Sequence, residues 1–215
     1  MRQSQTYANI FVSLGALALL LCSTTRAQGQ HSHEQHVHVQ QQQKKTPAQA
    51  SEKFTRTAAS YDVPDVTLTD MNGARVPLAS ALAYDGPVFL QFIFTTCPTI
   101  CPVMSSTLSS AQEKLGPDAA RVRMISISID PEQDTPERLR DYARKFKAGP
   151  QWVFLTGGLE QIVAVQKSFD AYRGNKMRHE PLTFMRAARG KSWVRLDGLL
   201  SATQLIEEYR RLTSQ

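Results

Sequence analysis

Cysteine is scarce. The 215 residues hold three, and Cys22 lies near the N-terminus, so the remainder has only Cys97 and Cys101. A framework of several disulfides is excluded, and this pair has no other thiol to exchange with. Long apolar runs are lacking too: the N-terminal stretch Ala8 to Leu21 falls short of the roughly 20 residues a spanning helix needs. Charge of one sign is nowhere concentrated. The net +6 is scattered over Lys44-Lys45, Arg121/Arg123, Arg138/Arg140 and Arg210/Arg211, which suits solubility and excludes nucleic acid as the expected partner. Internal repeats are absent. Of five histidines, only His179 lies outside the N-terminal quarter.

The N-terminus is organised for export. Arg2 precedes the apolar stretch, and Thr25-Arg26-Ala27 follows as a small-x-small cleavage site, the pattern of a secretory signal peptide over residues 1–27. A retained membrane anchor is the alternative, and it would be the chain's sole contact with a membrane. Cys22 is preceded by Leu19-Leu20-Leu21, without the small residues lipoprotein processing needs. The expected location is therefore periplasmic, either soluble or tethered to the inner membrane. Residues 28–60 are rich in Gln, His, Ser and Ala. They cannot bury enough surface to offset their ordering entropy, so a disordered tail is expected. One domain of ordinary size remains, residues 61–215.

Within that domain, Asn72-Gly73 between Asp65–Asp70 and Arg75–Leu78 predicts a hairpin with a type I′ turn. Val88 to Phe94 is a continuous apolar run, as expected of a buried central strand. Val103, Met104, Leu108, Ala111 and Leu115 then recur at helical spacing before Gly116-Pro117. Val122–Ile129 predicts a second buried strand, and Asp134-Thr135-Pro136-Glu137 opens another helix, with Asp134 as its N-cap. A short strand at Trp152–Leu155, a helix over 159–172, strands near Leu182–Arg186 and Trp193–Leu196, and a final helix from Ser201 complete the order. Parallel βαβ units closed by an antiparallel pair and a helix give an α/β fold. It is a thioredoxin-like three-layer α/β/α sandwich with an N-terminal β-hairpin.

The two thiols leave the C-terminal end of the first central strand, where open α/β sheets keep their chemistry. With Cys101 at a helix start and Cys97 in the turn before it, the helix dipole and free N–H groups favour thiolate. An oxidising compartment makes a Cys97–Cys101 disulfide the default resting state. Three residues separate the sulfurs, where a redox C-x-x-C has two. The wider spacing permits a disulfide and also lets both sulfurs converge on one soft ion. Two thiolates suffice for Cu(I), and an imidazole would extend the site to Cu(II). In thioredoxin-like domains the loop before the strand that here lies near Leu182–Arg186 carries a cis-proline facing the dithiol. Pro181 falls at that place, which puts His179 within reach of the sulfurs.

These residues resemble the Sco/SenC family. The resemblance rests on Phe92-x-Phe94-Thr95-x-Cys97-Pro98-x-x-Cys101-Pro102, Ser128-Ile129-Asp130-Pro131-Glu132-x-Asp134-Thr135-Pro136, Phe154-Leu155-Thr156-Gly157 and His179 before a strand. It covers about residues 61–214. It implies an exported or membrane-tethered copper protein that assists assembly of the binuclear copper centre of cytochrome c oxidase, with Cys97, Cys101 and His179 as the ligands. The implied partners are the copper-bearing oxidase subunit or another apo copper protein, and a copper donor protein. Arg178 stands where the family usually has Asp, putting a cation beside the metal and predicting weaker Cu(II) binding. The segment from Tyr172 to His179 is short, and Ala187-Ala188-Arg189-Gly190 replaces the usual turn.

Further residues have two readings each. Asp130, at the end of the second central strand, could tune the ligands from outside the first coordination shell. The tail's His31-x-His33-x-x-His36-x-His38 suits loose capture of Cu(II), Ni(II) or Zn(II), or is simple low-complexity sequence. The same dithiol would also serve a thiol-disulfide oxidoreductase acting on an apo copper protein, one thiolate attacking and the other resolving. A peroxiredoxin-like peroxidase fits poorly, because the second thiol shares the loop. A purely structural disulfide completes the alternatives.

Overall fold

Strand β4 (Val88–Ile93) is buried at every residue, and the domain is built outward from it. The computed structural model describes residues 54–214. The signal segment with Cys22 and the tail histidines His31, His33, His36 and His38 lie outside the described residues. The other strands are β1 (Thr55–Ala59), β2 (Thr67–Asp70), β3 (Arg75–Pro77), β5 (Arg123–Ser128), β6 (Trp152–Thr156), β7 (Leu182–Arg186) and β8 (Trp193–Asp197). They form one sheet in the order β1-β8-β7-β4-β5-β6-β2-β3. Pairings β4–β5 and β5–β6 are parallel, and the rest are antiparallel. The helices are α1 (Leu78–Leu82), α2 (Ile100–Leu115), α3 (Pro136–Lys145), α4 (Leu159–Ser168) and α5 (Ala202–Thr213), with 3₁₀ turns at Gly116–Arg121 and Lys176–Arg178. No helix among the described residues is long and apolar enough to cross a membrane.

Side-chain alternation along β4 defines the layers. Phe89 meets Tyr209 of α5 at 6.0 Å, and the Gln91 amide donates to Ser105 of α2. Ser105 in turn bonds the Tyr142 hydroxyl of α3 at 3.0 Å, so α2, α3 and α5 share one face. Phe92 points the other way, to Phe169 at the end of α4 and to Phe184 of β7. Phe169 and Phe184 also pack edge-on with each other, Tyr61 lies tilted on Phe169 and edge-on to Phe184, and Trp193 lies edge-on to Phe169. Each such buried ring is worth about 2–3 kcal/mol by area alone. Helices on both faces of one sheet make the expected α/β/α sandwich, with the hairpin β2–β3 joined to β6.

Three local expectations are corrected. The tail was expected to reach residue 60, but Thr55–Ala59 pairs antiparallel with β8 along its whole length. Its polar composition reflects an edge position, four of its five residues being exposed. The Arg56–Glu208 ion pair at 2.9 Å helps hold it. In the hairpin, Gly73 has φ 84° and no other turn residue is positive. A type I′ turn needs two such residues, so this is a type I turn followed by a left-handed glycine. The Asp70 carboxylate enforces it by accepting the Asn72 and Ala74 amides, each at 2.8 Å. Finally, α4 ends at Ser168, because Asp170 adopts φ 49° and breaks the helical path.

Candidate metal centre

The loop between β4 and α2 carries the dithiol. Its first turn closes where the Cys97 amide donates to the Phe94 carbonyl at 3.2 Å. Helix α2 begins at Ile100, so Pro102 sits in the first turn, where a missing N–H costs no helical bond. Cys97 and Cys101 are both buried and both free thiols. The Cys101 backbone N–H donates to the Cys97 sulfur at 3.4 Å.

The two thiols differ. Burial pushes the Cys97 thiol up, but hydrogen bonds from the Cys101 side chain and from the amides of Cys101, Thr99 and Ile100 outweigh it, and the net shift is downward. Cys101 is fully buried inside the first helical turn. Burial drives its thiol far above the ordinary range, and the Cys97 hydrogen bond and the nearby Asp134 charge add to the rise. The expectation that the helix start favours thiolate therefore holds for Cys97 only. At Cys101, loss of hydration wins.

His179 follows the Lys176–Arg178 turn and is nine-tenths buried. Its ring lies edge-on to Phe94 at 6.4 Å and makes a hydrogen bond with the Phe92 backbone. Burial pushes its pKa down to about 4, against that hydrogen bond and the Glu180 charge, which both raise it. The imidazole is thus neutral at pH 7, the metal-ligating form. Its Nε2 is buried without a hydrogen-bond partner, a costly arrangement for a polar atom with nothing to bind. Among the described residues, no three His, Cys, Asp or Glu side chains cluster closely enough to hold a metal ion. The structure brings Cys97 and Cys101 together and sets His179 against Phe94, outside a common cluster with the sulfurs.

A SCO1/SenC family model matches residues 55–214. The chain belongs to this family. The SCO1 protein homolog of Bacillus subtilis is 40% identical over 100 residues, which are 46% of this chain and 50% of that protein. The chain thus spans about half the length of the curated relatives it matches. Among solved structures, BsSco, described as a member of the Sco family of cytochrome c oxidase assembly proteins, superposes with a TM-score of 0.61. It is 28% identical, over 74% of this chain and 98% of that one. Copper-bound ScoI of Bradyrhizobium japonicum gives a TM-score of 0.57 at 28% identity, over 68% of this chain and 96% of that one. The thioredoxin-like fold is shared with these Sco proteins.

Two acidic residues of this SCO1/SenC protein find partners that the sequence does not announce. Asp130 is buried, and its carboxylate receives Lys176 Nζ at 2.6 Å. Lys176 also lies over the Phe94 ring at 5.8 Å, so it links the end of β5 to the aromatic wall beside His179. A cleft of about 390 Å³ opens there, lined by Asp130, Leu159, Tyr172, Lys176 and His179 among others. Asp134 is not the N-cap of α3. Thr135 takes that place, its side chain accepting the Arg138 amide. Asp134 instead turns inward and is fully buried. The local signal for Thr135 is Pro136, since proline favours the first helical position, whereas the spacing of Asp134 and Glu137 suggests the earlier cap.

Proposed function

We propose that this protein is an exported copper carrier. Cys97, Cys101 and His179 hold the ion, which is passed to an apo copper protein during assembly of the binuclear copper centre of cytochrome c oxidase. The observation that carries the reading is the unpartnered, buried Nε2 of neutral His179 at the same end of the sheet as two adjacent free thiols. Two sulfurs suit Cu(I), and the added nitrogen suits Cu(II). Loading requires the imidazole and the sulfurs to converge, and the Lys176–Arg178 turn is the segment that would move. Relatives in sequence include a putative copper-binding protein of Stutzerimonas stutzeri, and copper-bound ScoI shares the fold. The N-terminal signal pattern supports a periplasmic location, soluble or tethered.

The test is an anaerobic Cu(I) titration of the reduced protein against a competing chelator. One tightly held copper per chain is expected in the parent and none in Cys97→Ser or Cys101→Ser. His179→Ala is expected to weaken Cu(II) by on the order of 100-fold and Cu(I) less, since the soft ion depends chiefly on sulfur. Serine variants that bind like the parent would refute the ligand set.

A second reading, thiol-disulfide exchange on an apo copper protein, is favoured by one observation. The unequal thiols, Cys97 shifted down and Cys101 up, match an attacking and a resolving sulfur. Reduction of a disulfide-bearing apo partner by metal-free protein would support it.

A further inference from the structure

We propose that Asp134 is the positioning residue of the dithiol, tying the chain that delivers Cys97 to the neighbouring strand β5 and so fixing how close the two sulfurs lie. The proposal rests on Cys97 and Cys101 being the working site, as inferred above. Three donors converge on this carboxylate. Both of its oxygens accept the Thr95 amide, at 3.1 and 3.2 Å. Oδ1 also takes the Thr95 hydroxyl at 2.5 Å, and Oδ2 takes the Ser128 hydroxyl at 2.6 Å. Thr95 stands two residues before Cys97, just past the end of β4. Ser128 is the last residue of β5 and pairs with Ile93 in the parallel ladder. The contact therefore sits where that ladder stops and the functional loop begins.

A carboxylate is the group this position demands. Three inward-facing donors need an acceptor with two oxygens and no hydrogen of its own, which an amide cannot supply in full. No cation pairs with Asp134 among the described residues, although burying an unpaired charge is unfavourable. Its retention is explained if the bonds it accepts do more than cap a helix, a task Thr135 already performs. The turn from Asp130 to Asp134 is fixed from below as well. The Asp134 and Gln133 amides donate to the Asp130 carbonyl at 2.9 and 3.0 Å, and Ser128 Oγ accepts the Asp130 amide at 3.0 Å. Ser128 is thereby held from two sides, and Asp134 carries that fixed position across to Thr95.

The measurement is the equilibrium between dithiol and disulfide in metal-free protein, set against glutathione. Each intramolecular disulfide formed consumes one oxidised glutathione and releases two reduced ones, with two electrons and two protons leaving the thiols. Asp134→Ala is expected to lower the disulfide-forming constant at least about tenfold, which equals roughly a 30 mV rise in reduction potential. Asp134→Asn, which keeps an oxygen for Thr95, should recover at least half of the logarithmic change. Thr95→Val and Ser128→Ala should each shift the constant about threefold in the same direction. A purely structural role would lower the melting temperature and leave these constants alone. A folded Asp134→Ala whose constant lies within twofold of the parent overturns the proposal. If that variant does not fold, unchanged constants in Thr95→Val and Ser128→Ala overturn it equally. Because no metal enters the measurement, a parent that fails to bind copper would defeat the copper reading without touching this result.

Discussion

The Cys97 sulfur accepts the backbone N–H of Cys101 at 3.4 Å, so the residue whose own thiol is most strongly held protonated stabilises charge on its neighbour. Reactivity should divide accordingly. Under reducing conditions at pH 7–8, iodoacetamide is expected to label Cys97 first. Cys101→Ser should stay reactive, and Cys97→Ser should slow labelling at least about tenfold. The labelling rate of Cys97 should rise with pH earlier than that of a free cysteine, because its thiol is shifted down. Mass spectrometry of the labelled peptides decides the order, and equal rates would refute the asymmetry.

His179 should make the fold acid-sensitive. Its pKa lies at about 4 in the folded state, against an ordinary 6.5, so the unfolded chain binds its proton more tightly. The stabilisation is complete above pH 6.5 and is lost as pH falls toward 4. Between pH 7 and pH 5 the loss from this group is about 2 kcal/mol. Urea unfolding of the parent and of His179→Gln at the two pH values isolates it. The difference between the proteins should shrink by that amount at pH 5, and a pH-independent difference would be inconsistent with a neutral buried ring.

Lys176→Met leaves the buried Asp130 carboxylate without its cation. Breaking such a pair costs about 3–5 kcal/mol when both partners are buried. The Lys176 side chain is 38% exposed, which reduces the expected loss to about 1–3 kcal/mol. Adding Asp130→Asn should restore most of it. A single variant as stable as the parent would show that water replaces the lysine without cost.

Strand β1, which precedes the expected domain start at residue 61, is paired into the sheet. A chain starting at residue 61 loses the ladder with β8 and leaves buried Glu208 with Arg211 alone. Its melting temperature is expected to fall by roughly 5 °C or more relative to a chain starting at residue 54. Equal melting curves would mean that the edge strand adds nothing.

The central strands, the hairpin and the dithiol loop are legible in the sequence because local pattern determines them. Val88–Ile93 is apolar throughout, Asn72-Gly73 marks a turn, and two cysteines flank a helix start. What is not legible depends on residues far apart in the chain. The polar segment Thr55–Ala59 has no strand signal of its own and becomes a strand only because β8 offers an edge. Asp134 can also serve as a cap on paper, and what draws it inward instead is Thr95, 39 positions away. Lys176 looks like any loop lysine until Asp130, 46 positions earlier, receives it. The turn type at Gly73 was obscured by Asp70, whose side chain does the work a second left-handed residue would have done.

Gln91 is the one amide in an otherwise apolar central strand, and its partners all come from other elements. It donates to Ser126 of β5 at 3.0 Å. Ser126 also receives the Trp152 indole N–H at 2.9 Å, and Ser105 links the group to Tyr142. Apolar strands alone would tolerate sliding past one another, since any hydrocarbon neighbour serves about as well as another. Displacing β4 by one residue against β5 would turn every side chain to the opposite face and strand this amide in hydrocarbon. The cluster thus acts as a register mark, disfavouring misaligned pairings of the strand that leads into Cys97 and Cys101.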